Sequence, residues 1–336
     1  MSAPSVTAVI PTLNAERPLA ACLRALREQD YPGAVSVIVA DGGSRDATVE
    51  IARSFGATVV DNPLRTGEAG KAAGVRAGTG DLILLVDSDN TLVGRDWLAR
   101  MTAPFEDPEV IASEPIRWEY RRDDHPVNRW HALTGVADPV ALFIGNYNRQ
   151  SMLTGRWTDL PVHEEQRDGW RRVRLCESAM PTVGANGYLV RRTAFEAVPV
   201  GDYLFDIDHA YELVRRGHRT MALVDVAIHH DFCDGYRQFV RKTRRRIDDY
   251  VYFSSAGERS FPWQSRRRRR GLVEFVLATL MLVPLVKDVL RGMRAVRDPA
   301  WWFHPVACWL TLCVYAAGTI RGRLRPAMLD REGYRQ

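Results

Sequence analysis

Leu82-Ile83-Leu84-Leu85-Val86-Asp87-Ser88-Asp89 is an apolar run that stops on two carboxylates one residue apart. A run of this length without charge reads as a buried strand. Carboxylates at its end can grip a divalent cation, and such a cation can clamp a diphosphate. Hard oxygen ligands suit Mg²⁺ or Mn²⁺, which proteins commonly hold with one or two carboxylates plus substrate phosphates. Metal-assisted transfer from a nucleotide is therefore the leading expectation. An isolated Asp-x-Asp also serves as a turn or a helix cap, so the surrounding sequence has to decide.

Outward from that stretch, Val6-Thr7-Ala8-Val9-Ile10-Pro11 reads as a first strand that breaks into Thr12-Leu13-Asn14. A helical face of Leu19, Cys22, Leu23 and Leu26 follows it. Val35 to Ala40 is a second strand, ended by Asp41-Gly42-Gly43-Ser44-Arg45-Asp46, and Ala57 to Val60 is a third. Strands alternating with helical stretches predict an α/β fold with a parallel sheet, whose ligands bind beyond the carboxyl ends of the strands. All three polar clusters fall there.

Ile10-Pro11-Thr12-Leu13-Asn14, Ala40-Asp41-Gly42-Gly43-Ser44-Arg45-Asp46-Ala47-Thr48 and Val86-Asp87-Ser88-Asp89 resemble, in order, the signatures of family 2 inverting glycosyltransferases. The resemblance implies a GT-A nucleotide-binding sheet with crossover helices, a nucleotide-sugar donor and a divalent metal, Mn²⁺ or Mg²⁺. By resemblance Pro11, Thr12, Asn14, Asp41, Lys71, Asp87 and Ser88 line the nucleotide pocket, Asp41 accepts a hydrogen bond from the base, and Asp87 and Asp89 hold the metal. Val183 to Arg192 resembles the stretch under the donor sugar. Counting back from Gly217 puts Asp206 at the catalytic base, with Phe205 where family members often carry Glu. A histidine after the strand Met221 to Asp231 can complete the metal site, and spacing from Asp225 favours His230 over His229. Asp46 reads as a helix cap.

The acceptor decides what Asp206 must do. A sugar hydroxyl needs a carboxylate to take its proton, worth about 10² to 10⁴ in rate. A lipid phosphate, with a second pKa of about 6, is already ionised. The departure at Phe205 and the basic segment that follows make a lipid-linked acceptor, polyprenyl phosphate foremost, the expected one. Arg241, Arg244 and Arg245 are then the candidates to neutralise its phosphate. A glycan or glycolipid hydroxyl is the alternative. Val86-Asp87-Ser88-Asp89-Asn90-Thr91-Leu92 also fits the first motif of haloacid-dehalogenase-like phosphatases, but that reading leaves the earlier motifs unexplained. A non-catalytic membrane scaffold is disfavoured by the intact Asp87 and Asp89.

Beyond residue 235 the chain changes character. Tyr236 to Arg246 is a basic helix candidate and Arg266 to Arg270 is an unbroken arginine run. Leu272 to Val286 is almost wholly apolar, and Trp301 to Ile320 is long enough to cross a bilayer. Basic clusters beside Trp-bearing apolar segments predict membrane attachment rather than nucleic-acid binding. Lys287, Arg291, Arg294 and Arg297 lie between the two segments, which favours an in-plane pair over a hairpin. The expected division is a catalytic domain over 1–235, a basic linker or interface helix over 236–270, membrane-associated helices over 271–322 and a tail over 323–336. Met1 to Ser5 runs directly into the first strand, so the catalytic domain is expected on the cytoplasmic side.

The 336 residues, 46% hydrophobic and 26% charged with a net charge of +5, suit one globular domain and an appendage. Five scattered cysteines point to a reducing compartment. Arg117 to Pro161 is expected to hold acceptor-side loops or an inserted helical pair.

Overall fold

A computed structural model describes residues 3–184, 186–263 and 265–324; most of the expected tail, 325–336, lies outside them. The chain divides into two compact units, Met1–Glu119 with Pro161–Asp231, and Tyr120–Leu160 with Phe232–Gln336. This grouping differs from the linear division at residue 235, because the segment 120–160 groups with the C-terminal helices.

In the first unit, β1 (Val6–Thr12), α1 (Glu16–Arg27), β2 (Val35–Asp41), α2 (Thr48–Ser54), β3 (Thr58–Asp61), α3 (Gly67–Ala77) and β4 (Leu82–Leu85) alternate as expected. After β4 come β5 (Asn90–Leu92), α4 (Trp97–Thr102) and β6 (Val110–Trp118). The second unit opens with α5 (Pro126–Thr134) and α6 (Val140–Ile144). The chain then returns through β7 (His163–Arg167), β8 (Trp170–Arg174), β9 (Tyr188–Arg191), α7 (Thr193–Ala197), α8 (Asp206–Arg215) and β10 (Thr220–His230).

The described strands form one ten-stranded sheet ordered β3-β2-β1-β4-β9-β6-β10-β8-β7, with β5 on β10. Only part of it is parallel. β1 pairs in parallel with β2 and β4, and β10 with β6. β9 runs antiparallel between β4 and β6. The parallel registers set Thr12 opposite Asp41 and Val9 opposite Leu85, so the polar ends of β1, β2 and β4 share one edge.

Packing explains that placement. α1 buries Leu19, Cys22, Leu23 and Leu26, the face its spacing predicts; each such leucine contributes about 1.5–3 kcal/mol of burial. α3 lies against β1 because it carries glycine where it crosses. A Cβ on Gly74 would stand 2.2 Å from Val9 Cγ1, and one on Gly70 would stand 2.7 Å from Pro11 Cβ. Ala72, Val75, Ile83, Leu85, Tyr188, Leu204 and Leu213 then close one core between α3, the sheet and α8. That core fixes Lys71 on α3 and Asp206 at the start of α8.

His209 on α8 is buried against Phe195, with ring centroids 4.7 Å apart, and its Nε2 has no hydrogen-bond partner. Burial lowers its pKa from 6.5 to about 4. Between these values the unfolded chain binds a proton that the folded chain excludes. The stability contribution is therefore complete above pH 6.5 and lost as pH falls towards 4, amounting to about 3 kcal/mol. Urea midpoints measured between pH 7.5 and 4.5 should fall in the wild type and fall less in His209→Phe; equal slopes would place the acid sensitivity elsewhere.

In the second unit, α9 (Tyr236–Ser255), α10 (Arg266–Met281), α11 (Val283–Ala295) and α12 (Phe303–Leu324) join α5 and α6. Trp130 is fully buried, edge-on to Phe239 and Phe303 at 6.0 and 5.3 Å. Phe275, Ala278, Leu285 and Cys308 form a second core, and Leu133, Val289 and Trp301 a third. The insertion 120–160 thus contains a helical pair, and the arginine run at the end of the expected linker or interface helix forms the start of α10.

Candidate active site

Asp41 ends β2 and organises the loop after it. Its Oδ1 accepts from Thr12 Oγ1 at 3.0 Å and from Ser44 Oγ at 2.5 Å, while Oδ2 accepts from the amides of Gly43 at 2.9 Å and Ser44 at 2.8 Å. An ionised carboxylate offers about four acceptor sites, so the protein itself engages this side chain heavily. Asn14 is held in the left-handed region at φ 51°, its amide donating to Ser44 Oγ at 2.8 Å and its Oδ1 accepting from the Arg45 amide at 2.9 Å. Asp46 accepts from the amides of Thr48 and Glu16 at 3.1 and 3.2 Å, as a cap does. Pro11 is buried beneath Gly70.

The Asp87-Ser88-Asp89 turn links β4 to β5. Asn90 Oδ1 accepts from the Asp87 amide, and the Asn90 amide donates to the Asp87 carbonyl, both at 3.0 Å. β5 then pairs antiparallel with the end of β10, so that His230 stands opposite Asn90 and the Asp231 amide donates to the Asp89 carbonyl at 2.9 Å. This register brings His230 Nε2 to 3.4 Å from Asp89 Oδ1. His229 is buried, and the His230 ring packs against Trp118 at 5.2 Å with the planes tilted by 40°.

On the inner side, Lys71 Nζ donates to Asp206 Oδ2 at 2.6 Å and lies 3.8 Å from Asp87 Oδ1. Burial pulls the Lys71 ammonium down, but the Asp206 and Asp87 carboxylates outweigh it and hold the group protonated. Burial pushes the Asp206 carboxyl up to about 7 against the pull of Lys71, and the charges of Asp87 and Glu68 add to the rise. Asp206 Oδ1 is buried and has no hydrogen-bond partner. Cys22 donates weakly to the Asp87 carbonyl at 3.8 Å, and burial with the Asp89 and Asp87 charges raises its pKa and keeps it a thiol.

Among the described residues no three acidic, histidine or cysteine side chains close around one point. Asp87 and Asp89 are partly exposed carboxylates with the His230 imidazole alongside. This open, oxygen-rich donor set fits a divalent cation whose remaining ligands come from a diphosphate. The candidates brought together are thus Thr12, Asn14 and Asp41 in one group and Lys71, Asp87, Asp89, Asp206 and His230 in another, with the half-buried Ser88 between the two acids.

Arg241, Arg244 and Arg245 lie on α9 of the second unit. Arg241 is exposed, and Arg244 and Arg245 stand 3.5 and 3.4 Å from Asp248 and Asp249 one turn on.

Sequence reasoning missed Glu114 and Glu68. Glu114 is fully buried in β6 and accepts from the Gly184 amide at 2.6 Å. Gly184, at φ 115°, backs directly on Asp206: a Cβ there would lie 2.8 Å from its backbone. The signal available was an acid inside the apolar strand Val110–Trp118, since a buried glutamate requires partners.

The sheet is a mixed α/β one with Asp41, Asp87 and Asp89 at one edge. Residues 7–161 match the family model Glycosyl transferase family 2. Among similar proteins, an N-acetylglucosaminyltransferase of Rhizobium meliloti (strain 1021) is 35% identical over 118 residues, 32% of this chain and 27% of that protein. A PGL/p-HBAD biosynthesis glycosyltransferase of Mycobacterium bovis (strain BCG / Pasteur 1173P2) is 32% identical over 133 residues, 35% of this chain and 52% of that one. The chain thus spans about a quarter to a half of these relatives. A mannosyltransferase of Pyrobaculum calidifontis, solved with GDP-Man and Mn²⁺, shares the fold with a TM-score of 0.53 at 18% identity, over 94% of this chain and 87% of that one. The fold is the GT-A arrangement that the motifs imply.

Proposed function

We propose that this protein is a membrane-associated inverting glycosyltransferase that moves a sugar from a nucleotide-sugar donor to a lipid-linked acceptor. The carrying observation is the β5–β10 pairing that sets His230 beside Asp89, with Lys71 paired to Asp206 and 3.8 Å from Asp87 on the same turn. Asp87, Asp89 and His230 would hold Mn²⁺ or Mg²⁺, which neutralises charge on the departing nucleoside diphosphate. Thr12, Asn14 and Asp41 shape the loop that receives the nucleotide, and Lys71 adds a fixed positive charge.

For the acceptor, the buried Asp206 Oδ1 without a hydrogen-bond partner favours a hydroxyl nucleophile. A general base works best with a pKa near the working pH, and Asp206 lies at about 7. A sugar hydroxyl of a lipid-linked glycan or glycolipid therefore fits better than the polyprenyl phosphate expected from the basic segment. Two of the three arginines assigned to that phosphate already face acidic partners.

Thermal unfolding with a panel of UDP- and GDP-sugars tests the donor side. UDP-N-acetylglucosamine and GDP-mannose come first, given the names of the rhizobial relative and the ligand of the archaeal neighbour. At about 100 times its Kd the cognate donor stabilises by about 2.7 kcal/mol, and Mn²⁺ should be required. A shift that survives EDTA would remove the metal from donor binding.

A further inference from the structure

α10 is amphipathic in the reverse sense. Its buried positions are Gly271, Phe275, Ala278 and Thr279, whereas its outward stripe after Arg270 is Val273, Leu277 and Leu280, flanked by Leu272 and Met281. Leu277 is 51% exposed, Leu280 56% and Met281 59%. The helix then breaks at Leu282, a non-glycine residue at φ 61°, and Val283 beyond the corner is 61% exposed. A leucine at positive φ is uncommon; here it turns three successive apolar side chains outward. A contiguous patch of this kind marks an interaction surface.

Its rim is cationic. Arg266, Arg269 and Arg270 are exposed at the start of α10, and Lys287, Arg291, Arg294 and Arg297 are exposed along α11 and just after it. The other two arginines of the run are engaged by the protein: the exposed Arg267 donates to the carbonyls of Ile144 and Asp159 at 3.2 and 2.9 Å, and Arg268 covers the Phe261 ring at 4.1 Å. Two copies meeting through this patch would oppose their positive rims. An anionic lipid surface complements them.

α12 has the length to cross a membrane, and Pro299–Gly322 is the one such candidate among the described residues. Its neighbour argues against a crossing. Gly318 packs on Ile247 and Gly322 on Val251 of α9, and Arg321 reaches Asp248 at 3.1 Å. α9 carries Arg237, Arg241, Lys242, Arg244, Arg245 and Arg246. Each Arg or Lys is costly at the bilayer centre, so dragging the six cations of α9 inward would outweigh the burial of the outer stripe of α12.

We propose that the C-terminal unit docks in the plane of an anionic bilayer, with the outward stripe of α10 and the Met281–Val283 corner in the acyl boundary and the arginine rim on headgroup phosphates, and that no helix crosses. This docking is independent of sugar transfer, so vesicles without donor or acceptor test it.

The purified full chain is floated with phosphatidylcholine vesicles made with and without phosphatidylglycerol. Binding should require the anionic lipid and be reversed by alkaline carbonate. Leu277→Glu/Leu280→Glu should weaken it at least about tenfold, and Arg266→Gln/Arg269→Gln/Arg270→Gln should do so on anionic vesicles by about tenfold or more. Both variants alter exposed side chains, and unchanged circular dichroism checks their fold. Carbonate-resistant binding would mean a crossing helix and overturn the proposal. So would undiminished flotation of Leu277→Glu/Leu280→Glu, or a wild type that ignores vesicles and self-associates through this face.

Discussion

Asp89→Asn should lower turnover by about 10³-fold or more while leaving the fold intact. The change removes one of two carboxylates on the β4–β5 turn and the charge that faces His230 Nε2 at 3.4 Å. Neutralising a departing diphosphate is worth several kcal/mol, and about 4 kcal/mol corresponds to about 10³ in rate. The Asp89 carbonyl would still accept from the Asp231 amide, so β5 should remain paired with β10. The Mn²⁺-dependent part of the donor's thermal shift should disappear with activity. Near-normal turnover with metal still required would move the site away from this turn.

Asp206→Asn is expected to cost about 10² to 10⁴ in turnover with donor affinity little changed, because the amide cannot take a proton from the acceptor hydroxyl. The side chain sits at the start of α8 with one oxygen on Lys71 and the other without a partner. The amide retains an oxygen for Lys71, so the loss should appear in kcat rather than as unfolding. Arg244→Gln and Arg245→Gln serve as the contrast, and under this reading they stay near wild type. The reverse pattern, an active Asp206→Asn with both arginine variants impaired, would restore polyprenyl phosphate as the acceptor.

Much of the site was legible because it lies where local signals are strong. The apolar runs of β1, β2 and β4 end on Thr12, Asp41 and Asp87 with little tertiary help, and parallel pairing carries these ends to one edge. The spacing from Asp225 that favoured His230 falls on a residue that the β5–β10 register sets 3.4 Å from Asp89, while the choice between His229 and His230 as a ligand belongs to the proposal. The Lys71–Asp206 contact spans 135 residues and depends on Gly70 and Gly74 admitting α3 to β1, which no local pattern announces. Antiparallel β9 and the β7–β8 hairpin, rich in charge, carried too little alternation to be read as strands of the same sheet. The break at Leu282 was hidden because the residue that takes the left-handed turn is apolar, where a glycine would have marked it.

The most direct test of the central claim is to incubate the full chain with radiolabelled sugar nucleotide, Mn²⁺ and extracted lipid, and to follow label into the organic phase with and without EDTA. Metal-dependent appearance of a sugar-lipid is the predicted result. Phosphate release without sugar-lipid, or label transfer that EDTA leaves unchanged, would contradict it.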